Sequence, residues 1–308
     1  MKKWILKAVV QKCISFLPFR HKINFFFQKY ITKGVFLTED YFFDRLSHAR
    51  DHIDAAKTYL KSVEGLTTLE LGTGWYPVVP ISMFLSGAKT IHTVDISNLC
   101  DKDRLTTTLE MFIFQLAHGK VENYITPLPD RLETLKKIHK NSDKLSFETM
   151  LDELNIVYSV QDARQLNLEN DSVDLIHSNN TFEHVYPEIL KELLLEFKRV
   201  GKPTGIMSHF IDMSDHFAHF DKSITIYNFL KFSDKQWKII DNSVQPQNRW
   251  RFPDYVDLYK KLNLNLLKAT TRKGNSKLLE SIKIHDQFKT IPVEELAISH
   301  CMLISGQN

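Results

Sequence analysis

The densest run of chemically capable side chains is HFIDMSDHFAHFD, His209–Asp221. It gathers His209, Asp212, Asp215, His216, His219 and Asp221. Imidazole and carboxylate can take a proton from an acceptor hydroxyl or hold it in line for attack. They also ligate divalent cations, which would suit a catechol or sugar diol. A tight ligand spacing such as HExxH is missing, so the acid–base reading is preferred and no metal is assigned. The plain alternative is a polar loop with capping aspartates and solvent-facing histidines. Tyr227, Asn228 and Phe229, then Asn248, Arg249 and Arg251, are expected to complete an acceptor pocket that favours anions.

A second constellation lies upstream in LELGTGWYP, Leu69–Pro77. An apolar strand runs into a turn with Gly72 and Gly74, and glycine lets a ligand approach the backbone. A dinucleotide site would want a further glycine near position 77, where Pro77 stands. Glu70 is an acid that suits a ligand carrying an ammonium group. Asp95 ends the next strand and can accept both hydroxyl protons of a ribose; alternatively it caps the following helix. Asp162 and Ala163 follow a third strand, where the acid can meet an adenine amino group beside the small alanine. SVDLIHSNNTFEHV, Ser172–Val185, delivers His177, Asn179 and Asn180 to the carboxyl end of a fourth strand. His184 is either a functional imidazole there or a polar residue at a helix start.

Taken in this order, these residues resemble the class I S-adenosylmethionine-dependent methyltransferases, from about Thr67 to Phe210. RVGKPTG, Arg199–Gly205, is similar to the family's turn before its fifth strand, although Thr204 and Tyr76 stand where glycine is frequent. The resemblance implies S-adenosyl-L-methionine as cofactor, held by Glu70, Gly72, Thr73, Gly74, Asp95, Ile96, Asp162, Ala163 and Asn179. It implies a Rossmann-like α/β fold: a mostly parallel seven-stranded sheet with helices on both faces. The candidate catalytic residues are His209, His216, His219, Asp215 and His184. The expected activity is methyl transfer to oxygen or nitrogen of a small-molecule, sugar or lipid-linked acceptor. A methyltransferase-like binding protein without catalysis is the alternative; Pro77 and Glu70 disfavour a nicotinamide oxidoreductase.

The elements that must position these groups alternate. Strands are expected at Thr67–Leu71, Lys89–Ile96, Ile156–Val160, Ser172–Ser178 and Gly205–Phe210, with tail strands at Leu264–Thr270 and Ile298–Ser305. Helices are expected at Val78–Leu85 and Pro187–Val200. Such alternation gives a parallel sheet covered on both faces. Residues 97–155 read as a helical insertion, a lid or an oligomer contact, with helices at Asp103–His118 and Phe147–Leu154 and a loop at Tyr124–Arg131. Residues 1–64 read as a helical extension, 65–308 as the cofactor-binding domain, and 209–260 as its acceptor region.

In the first helix, Ile5, Leu6, Val9, Val10, Cys13, Phe16 and Leu17 share one face, leaving Trp4 and Ile14 off it. Lys2 to Lys33 holds many basic residues and no acid. That suits peripheral contact with an anionic membrane through residues 1–33, or a helix packed on the domain with solvated lysines. A net charge of +3 is too small to imply nucleic acid. Cys13, Cys100 and Cys301 are scattered without a CxxC pair, which fits a reducing, cytoplasmic location. Lys7 and Lys12 interrupt any signal-peptide core. Nothing in the pattern specifies an oligomeric state.

Overall fold

The computed structural model describes residues 2–18, 23 and 36–307. Its strands are β1 (Thr67–Leu71), β2 (Thr90–Asp95), β3 (Ile156–Val160), β4 (Val173–Asn179), β5 (Gly201–Asp212), β6 (Leu266–Arg272) and β7 (His300–Gly306). They form one seven-stranded sheet in the order β3-β2-β1-β4-β5-β7-β6. The first five run parallel, and β7 lies antiparallel to both β5 and β6. This is the expected Rossmann-like sheet. The strand order reverses between β1 and β4, and ligands of such sheets sit beyond the carboxyl ends there.

The helices that concern the site are α1 (Lys3–Ser15), α2 (Glu39–Leu60), α3 (Val78–Leu85), α4 (Lys102–Ala117), α5 (Pro129–Lys140), α6 (Phe147–Glu153), α7 (Pro187–Val200), α8 (Phe217–Phe220), α9 (Asp234–Ile240) and α10 (Phe252–Lys261). Strand alternation divides the core between the two sheet faces. Ile91, Leu175 and Ile206 pack with α2, α3 and α4 on one face; Leu69, Val94 and Ile176 pack with α7 and α10 on the other.

Two boundaries differ from the sequence reading. Residues 39–60 belong to the domain, because Phe42, Leu46, Ala49 and Ile53 are buried in its main core. Thr38 starts α2 by accepting the Tyr41 amide at 3.2 Å, a serviceable N-cap. The stretch 97–155 is no detached lid: Leu105, Leu109, Phe112, Leu135 and Ile138 join the same core. The loop expected at Tyr124–Arg131 ends at Pro129, which opens α5 where a missing amide costs nothing.

α1 buries the face opposite to the one expected. Trp4, Ala8, Gln11 and Ile14 are buried, while Leu6, Val9 and Phe16 are 52%, 51% and 78% exposed. A tryptophan offers more apolar area than a leucine or valine, and its site is prepared. The Trp4 ring lies 5.8 Å from Phe217 and 5.9 Å from Phe232, and its backbone amide donates to Asp221 at 3.0 Å. Lys12 Nζ donates to the Lys238 and Asp241 carbonyls at 3.0 and 2.6 Å, at the end of α9. Expectations for residues 19–22 and 24–35 fall outside the described residues.

A third aromatic core holds Trp4, Phe217, Tyr227, Phe229, Trp237 and Leu296. It forms a cap next to the end of β5. The fully buried Arg251 fastens the cap to the sheet by donating to the carbonyls of Met213, Leu296 (2.9 Å) and Ile298.

Candidate cofactor and acceptor site

The glycine turn leaves β1 with φ of +85° at Gly72 and +67° at Gly74. A side chain at Gly72 would press on the Thr181 hydroxyl, so the position is restricted by sterics as well as by φ. Gly74 N donates to Asp95 Oδ2 at 3.1 Å, and Ser97 N donates to Oδ1 at 3.1 Å. One carboxylate thus fixes the turn and the exit of β2 together. Glu70 is buried beneath, accepting from the Thr93 hydroxyl at 3.1 Å. Burial pushes its carboxyl up to about 8, against the pull of Thr93 and the charge of Arg45. An ammonium group arriving there would replace the missing hydration of that carboxylate.

These residues line a cavity of about 450 Å³. An adjoining cavity of about 300 Å³ shares Gly72, Asp95, Ile96, Thr181, His184 and Pro246 with it. Glu70, Thr73, Gly74 and Asn179 face the larger space, and Asp162 and Ala163 the smaller one. All nine cofactor candidates are therefore drawn into one trough across β1 to β4. Asp162 is not free: Arg164 Nε sits 2.9 Å from Oδ2 and holds the carboxyl below its usual range.

The catalytic candidates divide. His184 lines both cavities, and its Nδ1 is hydrogen-bonded to the Pro246 carbonyl at 2.7 Å. That bond makes Nδ1 the protonated nitrogen and leaves Nε2 to accept. Burial lowers the imidazole to about 4, so it is neutral near pH 7. The His216 ring lies 4.8 Å from His184, and the His219 ring 5.5 Å from His216. Both histidines converge on Asp212, with Nε2 to Oδ2 distances of 3.3 and 3.7 Å.

His209 does not reach the trough. In β5, side chains alternate; Ser208 and Phe210 face α2, so His209 faces α7. There it stacks 4.3 Å from Phe182 and shares a 2.8 Å hydrogen bond with Ser178. Asp215 is also displaced from the expected role: it is buried in the cap, held by the Phe217 amide at 2.8 Å and Asn228 Nδ2 at 3.1 Å. The proposed anion pocket dissolves as well. Arg249 and Arg251 spend their donors on backbone carbonyls and Asp234, Asn248 on the Phe182 and Val185 carbonyls. Tyr227 and Phe229 are core residues of the cap.

α2 supplies groups that motif reading missed. Tyr41 and Arg45 line the larger cavity, and Arg45 stacks 5.1 Å from the Tyr41 ring. With its carboxamide oxygen turned toward the guanidinium, Asn180 accepts from Arg45 Nη1 and Nη2 at 3.2 Å. One helical stripe continues through His48 to His52, whose Nε2 bridges to Asn179 Oδ1 at 2.9 Å and Nδ1 to Ser208 Oγ at 2.8 Å. The available signal was four polar residues at helical spacing along an apolar helix face.

The family described as a methyltransferase domain matches residues 129–208, from α5 to within β5. Over those residues the chain is similar to a methyltransferase domain. The match begins beyond Gly72 and Asp95, so the cofactor turn rests on the geometry above. Methyltransferase domains use S-adenosylmethionine, and the groups present fit it in kind: a buried acid at Glu70, a turn in which a side chain at Gly72 would meet Thr181, and a second carboxylate at Asp95. No curated protein matches the chain in sequence. Among solved structures, it is similar to a geranyl diphosphate methyltransferase in complex with its cofactor (10% identity, TM-score 0.46, covering 84% of this chain and 85% of that one). It is also similar to a geranyl diphosphate C-methyltransferase from Streptomyces coelicolor (11%, 0.45, 83% and 79%). A phosphoethanolamine N-methyltransferase from Haemonchus contortus gives 12%, 0.47, 91% and 59%. At these TM-scores the likenesses carry no argument about the acceptor.

Proposed function

We propose that the chain transfers a methyl group to oxygen or nitrogen of a small-molecule, sugar or lipid-linked acceptor that enters the larger cavity. The observation that supports this is the extent of that cavity. It continues past the glycine turn to Tyr41, Arg45, Asn180, His184 and Gln245, leaving lined space beyond the cofactor residues. S-adenosylmethionine supplies an electrophilic methyl group on a sulfonium. Glu70 would take its ammonium, Asp95 its ribose, and Ala163 with Ile96 the sides of its adenine ring. Methyl transfer then needs alignment and exclusion of water more than covalent help. Arg45 and Asn180 offer donors to orient an acceptor oxygen, and His184 Nε2 offers a lone pair for its proton.

The membrane part of the proposal rests on α1. Lys2, Lys3, Leu6, Val9 and Phe16 are exposed together, and a basic helix with an apolar edge suits an anionic lipid surface. Among the described residues no helix is long and apolar enough to cross a membrane. A cytoplasmic site against such a surface would suit a lipid-linked acceptor.

Calorimetric titration with S-adenosylmethionine, and separately with NAD, tests the cofactor. A screen of cell extract for tritiated methyl acceptance tests catalysis. Cofactor binding with no labelled product from any fraction would favour a binding protein. In a positive assay, His184→Ala should lower turnover by on the order of 10²-fold, the usual worth of a positioned base. It should leave cofactor affinity nearly unchanged; unaltered turnover would remove His184 from the chemistry.

A further inference from the structure

We propose that Asp212, His216 and His219 bind a borderline divalent cation of the zinc or cobalt class at the junction of the sheet and the cap, with Glu183 close to the shared ligand His216. The three side chains recur at i, i+4 and i+7 across the end of β5 and α8. Ser214 N donates to Asp212 Oδ1 at 2.8 Å, which turns the chain so that both imidazoles fold back over the carboxylate. His300 Nε2 lies 3.4 Å from the same Oδ1, so Oδ2 is left for His216 and His219. Their Nε2 atoms stand 3.3 and 3.7 Å from it. Ligand atoms about 2.1 Å from one ion are roughly 3.0–3.4 Å apart in octahedral or tetrahedral geometry. The observed edges require only small movements to meet that.

Two buried groups lack the partners that such an ion would supply. His216 Nε2 is buried and makes no hydrogen bond, despite its nearness to Asp212. Glu183 is 1% exposed, and neither carboxylate oxygen reaches a hydrogen-bond partner. An unpaired buried carboxylate is costly unless it is protonated or faces a cation. Glu183, His184 and His216 form a second set of converging ligand atoms, which shares His216 with the first. Within each set, taken separately, the ligand atoms lie within 4.8 Å of one another. Imidazole-rich, oxygen-completed sites select borderline transition ions over magnesium or calcium. His219, 59% exposed, leaves a route for the ion to enter and an open position toward solvent. Holding an acceptor oxygen at that position would extend the proposed function and rests on it; binding of the ion does not.

The test uses the full chain, stripped with a chelator and dialysed, with neither cofactor nor acceptor present. Zn²⁺ is titrated by calorimetry, and Co²⁺ by its visible ligand-field bands. One ion per chain is expected. His219→Ala should weaken Zn²⁺ binding by on the order of 10²-fold and remove the Co²⁺ bands, and Asp212→Asn should do the same. His219 is largely exposed, so its variant should fold even if Asp212→Asn does not; circular dichroism checks both. His118→Ala, on the exposed end of α4, should bind as wild type does. Failure of the wild-type chain to take up either ion would overturn the proposal, leaving Asp212 as an ion-pair partner of its histidines. Binding undiminished in a folded His219→Ala would overturn it equally. Metal binding without methyl transfer to any acceptor would count against the proposed function alone.

Discussion

Asp95 holds the glycine turn before any ligand arrives, since one oxygen accepts from Gly74 and the other from Ser97. Its replacement therefore has two consequences that can be separated. Asp95→Ala should weaken S-adenosylmethionine binding by about 1–3 kcal/mol, because ribose hydroxyls lose a charged partner and the turn loses its brace. Asp95→Asn keeps one acceptor and should lose less; equal calorimetric affinity for wild type and alanine variant would refute the ribose assignment. Glu70 makes a prediction in pH. Its folded-state carboxyl sits near 8, above the ordinary 4.5. Between those values the folded chain binds the proton that the unfolded chain has lost, so stability must fall as pH rises through the window. Without cofactor, the wild-type melting temperature should decline from pH 5 to 8 more steeply than that of Glu70→Gln. Parallel profiles would show that Glu70 does not carry the shift. At this scale the sequence was legible where residue type and spacing decide the position, as with Glu70, Gly72 and Asp95, which the fold brings to one cavity. It misled at His209, because one step of strand phase moves a side chain to the other face of the sheet. It misled at Asp215 and Arg251, because a polar residue committed to backbone partners looks the same in one dimension as one aimed at a ligand.

At the scale of elements, β1 to β5 and α3 were readable from hydrophobic period and turn residues alone, to within a few residues. α1 was readable as a helix but not in its orientation. Its apolar residues form two faces, and the deciding contact is a tertiary one, Trp4 against Phe217 and Phe232. The two faces predict opposite behaviour. Trp4→Ala should destabilise the cap by about 3–5 kcal/mol, as large aromatic truncations in cores do. Leu6→Glu and Val9→Glu should change the melting temperature little, since both positions are about half exposed. The same pair should reduce flotation with anionic vesicles at low salt, if α1 is a membrane contact. Wild-type chain that stays entirely with the soluble fraction would remove the membrane from the proposal. α2 was undervalued for a related reason. Its polar stripe of Tyr41, Arg45, His48 and His52 gains meaning only once the helix is laid across the ends of β4 and β5.

The whole molecule is a sheet with two cores, to which a third core is attached as a cap. The cap has a core of its own, with α1 across its outer side, and is tied to the sheet by the continuation of β5, by the Arg251 guanidinium on three carbonyls, by Asn248 on the Phe182 and Val185 carbonyls, and by the His184–Pro246 and Tyr186–Asp241 hydrogen bonds. It also shapes the trough, because Ser243, Val244, Gln245 and Pro246 line the larger cavity beside the sheet's own residues. α1 touches that wall through Gln11 Nε2, 3.0 Å from Gln245 Oε1, and through Lys12 at the end of α9. Removing the chain before Phe36 should therefore loosen the cap without unravelling the sheet. Local stability follows such cooperative units, and amide exchange measures it. We expect faster exchange in residues 217–247 of the truncated chain, with protection in β1, β4 and β5 retained. Cofactor affinity should fall modestly, because Glu70, Gly74 and Asp95 lie in the sheet and its turns. Methyl transfer to any identified acceptor should fall further, because the wall that faces the acceptor is the one released. Equal loss of protection in cap and sheet would mean that the three cores unfold together. Unchanged exchange throughout the cap would mean that α1 is an ornament on a wall that stands without it.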